Sequence, residues 1–591
     1  MLLRHHFFKA AAFDTNLQQY FKDYYKDKYE TAIITDMFGV EHRVKDIEMV
    51  TTNNSSKWLK FGVSYEYWCS KVDENADMFG IVKTSHSSKL GDVQRMSYQM
   101  VNCLDMGMME KITQLSRDYI YQMKIDDELF FDYLRRNTNF SNDFDVLLAL
   151  VENNPEFVRS DYYRERKRRT INNYFTTVKA GKLIQKGDNL TLVGSPYAML
   201  MYTVGLNPED DPTLKPEQDC IQCYSEMFDD GEYLAEFRNP FNSRNNLGVL
   251  HNHRYDLIKR YFNLGTQCIA VNTHGTDFED RNNGSDFDSD SIYTTNQPEI
   301  VECAKAYYIQ NPTIVNNIPK EKTKYPNTLQ AFANIDNKLG ASQRVIGESS
   351  NVAQVAQSYT SSDCFENKSE LNDYVCILSV LAQAAIDNAK RTYSVNLSDE
   401  IARIKEELDI KKNGFPAFWS IIRPGFNKKR INPDLQCPMN YVYSMVCKTC
   451  KPSTSTLPIS DFIEQIEPEM EHKKCKKVEE LIEKYAFKLG KYNHSDENDD
   501  TYWLLNDDFD EMINDIRQTY ISKNYIGLMS WLISRTFSIP ISVNGELVKE
   551  TSGLSHNRSL LLKTLYTVNP KEFLRCFSKN MHQDSEMSNE D

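Results

Sequence analysis

The sequence lacks any run of about 18 apolar residues, so no membrane-spanning helix is predicted. Its N-terminus also lacks an apolar signal-peptide core, because Arg4, two histidines and Lys9 interrupt it. A surplus of cysteine is also lacking, because 13 in 591 residues is an ordinary and odd count, which argues against a secreted disulfide framework. The G-x-x-x-x-G-K-S/T loop of P-loop ATPases and the G-x-S-x-G turn of many hydrolases are absent. We therefore expect a cytoplasmic protein with no membrane partner.

Positive charge is also in deficit, because 69 lysines and arginines face 84 aspartates and glutamates, for a net charge of −15. This balance excludes an evenly basic nucleic-acid coat and a polybasic membrane binder. Hydrophobic residues make up 40% of the chain, which is enough for a sizeable core. Contact with nucleic acid would therefore need local basic patches, or metal ions held by acidic groups.

The most specific local motif is acidic. In Asn283-Gly-Ser-Asp-Phe-Asp-Ser-Asp290 the three aspartates alternate over five residues. In a tight loop their carboxylates can turn onto one hard cation such as Mg²⁺, which prefers oxygen ligands and keeps positions for phosphates. Phosphoryl transfer uses such an arrangement. The pattern therefore predicts catalytic metal ligands at Asp286, Asp288 and Asp290.

Two simpler interpretations compete for this motif. An EF-hand calcium loop would need Gly at its sixth position and Glu at its twelfth, where this chain has Ser291 and Gln297. The preceding segment, Cys268–Asn272, also has the pattern of a strand and not of a helix. A plain acidic surface turn stays open from the motif alone.

The order of motifs around the aspartates resembles the two-barrel RNA polymerase superfamily. The stretch Phe237-Arg-Asn-Pro240 before the acidic loop is similar to silencing-type RNA-dependent RNA polymerases and to phage-type single-chain enzymes. The segments 83–89 and 95–104 resemble the end of the first barrel, and 344–347 and 381–390 resemble the helices after the catalytic loop. Together these segments span about residues 60–395.

The resemblance implies an α+β fold with a double-psi β-barrel catalytic core, largely helical insertions and a helical C-terminal region. Strands are predicted at 182–186, 189–194 and 198–203, and helices dominate after about residue 299. The predicted regions are a partial first barrel region with basic residues over 1–105, a helical connector over 106–181, the catalytic barrel over 182–300, a post-catalytic helical region over 301–412, a mostly helical domain over 413–580 and a disordered acidic tail over 581–591.

The resemblance also implies partners and roles. The partners would be nucleoside triphosphates, a nucleic-acid template and an RNA product, and the cofactor would be Mg²⁺ with Mn²⁺ as an alternative. RNA as template is favoured over DNA. The activity implied is that of a nucleotidyltransferase. The residues that would contact the nucleotide or nucleic acid are Arg238, Asn239, Pro240, Lys83, Lys89, Gln99 and Lys390.

One departure from the family motif affects catalysis. The family has Gly within the aspartate triplet where this chain has Ser289, and Gly is needed where the backbone takes a positive φ. A catalytically inactive nucleic-acid-binding relative therefore stays an alternative. A metal-dependent nuclease or phosphotransferase that uses the same loop is another.

Other groups have weaker interpretations. A structural zinc site is possible at Cys437, Cys447, Cys450 and Cys475, whereas buried thiols are favoured for Cys220 and Cys223. His251 and His253 could ligate a metal, but a polar loop is favoured. Tyr162 and Tyr163 beside the basic stretch 164–169 could stack on a single-stranded template, with a charged exposed helix as the commoner alternative.

Overall fold

The structure is a computed structural model. This structure describes residues 1–319, 326, 328–387, 393–446, 454–464, 472–492, 500–519, 525–543, 546–549 and 552–577. The chain forms two compact units, one of Met1–Asp118 with Thr176–Val446 and one of Tyr119–Phe175 with Cys447–Asp591. Within the described ranges, every helix is too short or too polar to span a lipid bilayer.

The first unit holds most of the described strands. They are β1 Leu2–His5, β2 Phe8–Ala11, β3 Ile33–Thr35, β4 Glu41–Arg43, β5 Gly80–Lys83, β6 Val93–Arg95, β7 Ile184–Gly194, β8 Pro216–Glu217, β9 Cys220–Tyr224, β10 Tyr233–Phe237, β11 Gly248–Asn252, β12 Cys268–Val271 and β13 Ser291–Thr295. The second unit holds the hairpin β14 Ile541–Val543 and β15 Glu546–Val548.

The described α-helices follow in chain order. They are α1 Leu17–Tyr25, α2 Tyr65–Glu74, α3 Tyr98–Asn102, α4 Met109–Ile112, α5 Gln114–Ile125, α6 Asp127–Arg136, α7 Phe144–Asn153, α8 Asp161–Lys179, α9 Pro196–Thr203, α10 Asp256–Tyr261, α11 Phe278–Arg281, α12 Pro298–Gln310, α13 Leu329–Ser361, α14 Lys368–Asp387, α15 Leu397–Glu407, α16 Ile410–Asn413, α17 Trp419–Ile422, α18 Pro438–Ser444, α19 His472–Tyr492, α20 Asp500–Thr519, α21 Tyr525–Phe537, α22 Arg558–Val568 and α23 Pro570–Arg575. The chain passes between the units within α5 and α8 and after residue 446.

Six strands of the first unit close into a barrel. Their hydrogen-bonded order is β11, β10, β13, β7, β12, β9, and β9 pairs back onto β11. Two pairs, β9 with β11 and β7 with β12, are parallel, and the other four are antiparallel. The closed barrel confirms the predicted mixed fold with a barrel core.

The barrel has an internal pairing symmetry. When the first three strands (β7, β9, β10) are exchanged in order with the last three (β11, β12, β13), every pairing maps onto a pairing of the same direction, and β9–β12 and β10–β13 map onto themselves. The two parallel pairs exchange with each other. Such parallel pairs require crossover connections, since a short hairpin can join only antiparallel strands. Two interlocked crossovers of this kind are the arrangement that the sequence motifs predict.

The barrel interior is apolar because alternate residues of each strand point inward. One buried cluster takes side chains from all six strands, among them Leu190, Leu234, Leu250, Ile269 and Ile292. The long strand β7 reaches three neighbours: β6, β13 and β12. At Gly187 a Cβ atom would lie 1.9 Å from the carbonyl oxygen of Thr294, so only glycine permits this close approach of β13.

The prediction of a strand at 198–203 is wrong. These residues belong to helix α9, in which Pro196 occupies the first turn. Proline has the backbone φ of a first helical turn and needs no hydrogen-bond donor there. The two strands predicted at 182–186 and 189–194 are a single strand, β7.

The N-terminal region adds an open sheet in the order β2, β1, β5, and the separate hairpin β3–β4. Strand β6 pairs with β7 of the barrel. These elements occupy the region predicted as a partial first barrel over 1–105. The six regions given from the sequence stay a prediction.

Candidate active site

The three aspartates lie on the loop that leads into β13. One carboxylate oxygen from each aspartate lies within 4.8 Å of the other two. The backbone N–H of Asp286 donates to Oδ2 of Asp290 at 3.1 Å, and the N–H of Asp288 donates to Oδ1 of Asp286 at 3.3 Å. The loop therefore folds back on itself and directs three oxygen ligands at one point. Oxygen donors in this number fit Mg²⁺, which completes its shell with water or phosphate.

The turn before the loop is fixed from beneath. The buried Arg281 guanidinium donates to the carbonyls of Asn245 and Leu247, at 3.1 and 3.3 Å. The Asn282 side-chain amide donates to Oε1 of Glu236 at 2.8 Å. Buried hydrogen bonds of this kind hold a loop in one conformation. The position of the aspartates is therefore set by the barrel wall.

Helix α14 supports the same turn from another side. Ser379 donates to the side-chain oxygen of Asn283 at 3.3 Å. A Cβ atom at Gly284, where φ is +68°, would lie 2.7 Å from the Gln383 amide. This helix carries part of the segment that resembles the polymerase helices after the catalytic loop.

Ser289 has a φ of 118°. Residues that carry a side chain rarely adopt this backbone conformation, which costs them on the order of 1–3 kcal/mol. The position at which the family has glycine is therefore strained by serine, as the departure in the motif implies.

Arg238 follows strand β10 and joins the acidic loop. It donates to Oδ2 of Asp290 at 2.7 Å and to the carbonyl of Asn282 at 2.8 Å. Asn239 lies beside it and accepts from the hydroxyl of Ser97 at 3.4 Å. A cavity of about 190 Å³ opens between Arg238, Asn239, Ser289 and Asp290. The arginine, the asparagine and the acidic loop thus share one cavity.

The other predicted contact residues are more dispersed. The carbonyl of Pro240 accepts from the Asn283 amide at 3.4 Å. Lys83 ends β5 with an exposed side chain, Lys89 lies in the loop before β6, and Gln99 lies on α3, whose N-cap is Ser97. Lys390 lies outside the described residues. Within the described residues, the geometry thus joins Arg238, Asn239 and Pro240 to the acidic loop, and the roles of all seven residues stay a prediction.

The loop that carries Lys89 is anchored to the barrel. The carboxylate of Asp188 on β7 accepts from the N–H of Ser88 at 2.8 Å and from the Gln94 amide at 3.0 Å. Gln267, just before β12, donates to the hydroxyl of Ser87 at 2.8 Å. The barrel therefore holds the C-terminal end of the basic segment 83–89.

Lys9 is a site residue that the sequence motifs do not reveal. Its ammonium lies 2.5 Å from Oδ1 of Asp288. It belongs to β2 of the N-terminal sheet, where alternate residues Phe8 and Ala10 are buried. This alternation marks a strand with Lys9 on its other face, but nothing local identifies Asp288 as the partner.

The carboxylates of the loop differ in proton affinity. Partial burial and the neighbouring Asp288 raise the pKa of Asp286. Burial also opposes ionisation of Asp288, but the Lys9 ammonium and the hydrogen bond with Asp286 outweigh it and lower the pKa of Asp288. One carboxylate is therefore held ionised while its neighbour binds a proton more readily.

The tyrosines beside the basic stretch are buried and cannot stack on a template. Tyr162 and Tyr163 are buried and donate hydrogen bonds to Asp143 and Asp127, at 2.8 and 2.9 Å. Arg166 is paired with the buried Asp143. The hypothesis of base stacking by these tyrosines is therefore wrong, because their rings pack inside the second unit.

The cysteines are mostly buried. Cys220 and Cys223 are buried in β9, as expected for structural thiols. Cys437 and Cys475 are buried in different units, and Cys447 and Cys450 lie outside the described residues. The zinc site at these four positions stays a prediction.

The sequence matches no protein-family model and no curated protein. Among solved structures, the chain is similar to the RNA dependent RNA polymerase QDE-1 from Thielavia terrestris, with a TM-score of 0.43 and 12% sequence identity. The similarity covers 83% of this chain and 57% of that chain. The chain thus spans little more than half the length of that polymerase. The fold is defined by its strand pairing, which confirms the barrel expected from the motifs.

Proposed function

We propose that the chain is a template-directed nucleotidyltransferase that adds ribonucleotides to an RNA 3′ end. The observation that carries the proposal is the convergence of three carboxylates within 4.8 Å, beside a polar cavity that Arg238 and Asn239 line. A triphosphate is bound by cationic side chains and by a metal ion that carboxylate oxygens hold, and a ribose is bound by hydrogen-bond donors and acceptors. The cavity offers groups of both kinds.

In this proposal, Asp286, Asp288 and Asp290 would hold Mg²⁺. When bound, Mg²⁺ offsets the charge of the triphosphate and lowers the pKa of the attacking 3′-hydroxyl. The 3′-oxygen bonds to the α-phosphorus, the bond to pyrophosphate breaks, and the hydroxyl proton passes to water. The role of the barrel is to hold the carboxylates in place before the substrates arrive.

Arg238 would act in two ways. It holds Asp290 by a 2.7 Å hydrogen bond, which fixes that carboxylate toward the loop. A guanidinium carries five N–H donors, so the same residue can also donate to a ribose hydroxyl in the cavity. Asn239 would bind the ribose from the adjacent position.

The test is incorporation of labelled ribonucleotides by the full chain on matched RNA and DNA templates. We expect Mg²⁺-dependent extension, with RNA favoured as template, and loss of extension in Asp288→Asn. Asp280→Asn is the matched control, because this exposed carboxylate on α11 is outside the triplet. Equal extension by Asp288→Asn and the parent protein would contradict the proposal.

A second candidate is a relative that binds nucleic acid without catalysis. The strained Ser289 and the ion pair of Lys9 with Asp288 favour it, since both work against metal binding. Template binding without extension under every metal and template condition would support this candidate. Any template-dependent turnover would exclude it.

A further inference from the structure

A second group of convergent ligand atoms lies at the other end of strand β10. It consists of Glu217, His251 and His253, whose ligand atoms all lie within 4.8 Å of one another. Nδ1 of His251 is 2.8 Å from Oε1 of Glu217 and 3.1 Å from Nε2 of His253. Nε2 of His253 is 3.5 Å from Oε2 of Glu217. The group shares no residue with the acidic loop.

Hydrogen bonding alone accounts poorly for this arrangement. A neutral imidazole nitrogen carries either one hydrogen or one lone pair, so Nδ1 of His251 cannot form a linear bond to both neighbours. A metal ion between the atoms would accept a lone pair from each. At metal–ligand distances of about 2.0–2.1 Å, the ligand atoms of a tetrahedral zinc site lie about 3.3 Å apart. The observed separations of 2.8, 3.1 and 3.5 Å, of which the first and last reach different carboxylate oxygens of Glu217, bracket that value.

The backbone of the barrel fixes all three ligands. Glu217 lies on β8, where it pairs with Cys220 of β9, and His251 lies on β11, where it pairs with Gln222 of β9. The N–H of His253 donates to the carbonyl of Cys223 at 2.8 Å. The three ligands therefore flank one central strand, and rigid elements of this kind define a metal geometry better than loops.

Neighbouring residues orient the ligands. The Gln222 amide donates to Oε2 of Glu217 at 3.0 Å, and its own oxygen accepts from the Tyr255 hydroxyl at 2.6 Å. The Tyr233 ring stacks on the His251 ring, with centroids 4.1 Å apart and an angle of 6° between the planes. Metal ligands in proteins are commonly held by such outer contacts.

We propose that Glu217, His251 and His253 bind a borderline transition-metal ion of the zinc class. Two imidazoles and one carboxylate favour such an ion over Mg²⁺, which prefers oxygen ligands. The ligand side chains are between 15% and 29% exposed, which leaves a fourth position for water. The ion would fasten the β8–β9 turn to β11. Since the five residues of β10 separate it from Arg238, it would lie about 15 Å from the acidic loop.

The test uses the full chain with Asp286→Asn and Asp288→Asn, so that the acidic loop cannot contribute. Zinc affinity is measured by competition with a chromophoric chelator, and the visible spectrum of the Co²⁺ form reports the coordination geometry. We expect one ion per chain in a tetrahedral environment. His253→Ala should weaken zinc affinity more than about 100-fold, and Gln222→Ala about 10- to 100-fold.

The matched control is His274→Ala, an exposed histidine whose substitution should leave zinc affinity unchanged. His253 follows β11 and is 29% exposed, so its loss should preserve the far-ultraviolet circular dichroism of the parent. The proposal fails if the parent binds no zinc, or if stoichiometric binding survives both His251→Ala and His253→Ala.

Discussion

The two ends of strand β10 carry two groups of three ligand atoms that differ in chemistry. After Phe237, the chain leads to Arg238 and to three carboxylates on a loop, one of them paired with Lys9. At Tyr233, the other end meets two imidazoles and one carboxylate that lie on strands β8 and β11 or directly after β11. The first group suits an ion that exchanges ligands with phosphates, and the second suits an ion that stays bound. One barrel can therefore separate a site for chemistry from a site for stability.

The largest expected effect is the loss of nucleotide incorporation without any change in zinc affinity. Asp288→Asn should reduce nucleotide incorporation about 1,000-fold or more, since it removes a metal ligand and its charge. It should leave zinc affinity at the other end unchanged. His253→Ala should do the reverse, with near-parental incorporation at 25 °C. Incorporation rate and zinc affinity are measured on the same preparations, and parallel loss of both properties in either variant would show that the two ends are not independent.

The next effect concerns Glu236, which lies inside β10 between the two ends. Burial raises its pKa to about 7, against the opposing hydrogen bond from Asn282 and the charges of Arg281 and Arg238. Gly248 makes room for it, since a Cβ atom there would lie 2.0 Å from Oε1 of Glu236. The other carboxylate oxygen, Oε2, is buried without a hydrogen-bond partner in the described structure. A protonated side chain fits these surroundings.

The sign of the pH effect follows from that shift. Between pH 4.5 and about 7 the folded state keeps a proton that the unfolded chain has lost, so stability falls as the pH rises through this window. The full loss is about 3 kcal/mol. Glu236→Gln should remove this dependence, as measured by thermal unfolding of the first unit at pH 5.5 and 7.5. An unchanged pH slope in the variant would show that Glu236 does not carry the effect.

A smaller effect is expected at Arg238. Arg238→Gln removes the charged partner of Asp290 and should lower incorporation about 10- to 100-fold, chiefly through kcat if the arginine positions the carboxylate. Arg254→Gln is a control at the opposite end of β10, where Arg254 donates to the carbonyl of Phe228. If only the KM for nucleotide rose, Arg238 would be a substrate contact and not a positioning residue.

The smallest effect is expected at Ser289. Ser289→Gly should raise stability by about 1 kcal/mol, because glycine adopts a φ of 118° without a Cβ penalty. Ser289→Ala keeps the Cβ atom and should show no gain. Thermal unfolding of both variants measures the difference. Equal stability of the glycine and alanine variants would argue that the backbone there is relaxed in solution.

The sequence was informative where chemistry is local. The aspartates and Arg238 stand in short motifs, and the structure brings them together. Lys9 could not be inferred, because its partner is reached only when the N-terminal sheet packs near the loop. Likewise, Glu217 is distant in sequence from His251, and only the pairing of β8 and β11 with β9 joins them.

The fold was likewise predictable only in part from the sequence. Apolar alternation located β7 and β12, and the order of motifs implied the barrel. The segment 198–203 was misassigned because its Ala, Met, Leu and Tyr residues suit a strand or a buried helix equally. Only Pro196 indicates the start of a helix there. Strand order and closure depend on long-range pairing, which no local pattern encodes.

The ion pair of Lys9 with Asp288 has a consequence for biosynthesis. The ribosome delivers Lys9 long before Asp288, which comes only just before the last barrel strand. The N-terminal sheet can therefore form early, while the carboxylate partner is still unsynthesised. Native contacts of such separation form slowly. We expect the acidic loop to acquire its charge balance late, after β13 has closed the barrel. A nascent chain stalled before the acidic loop would therefore carry Lys9 without its counter-charge.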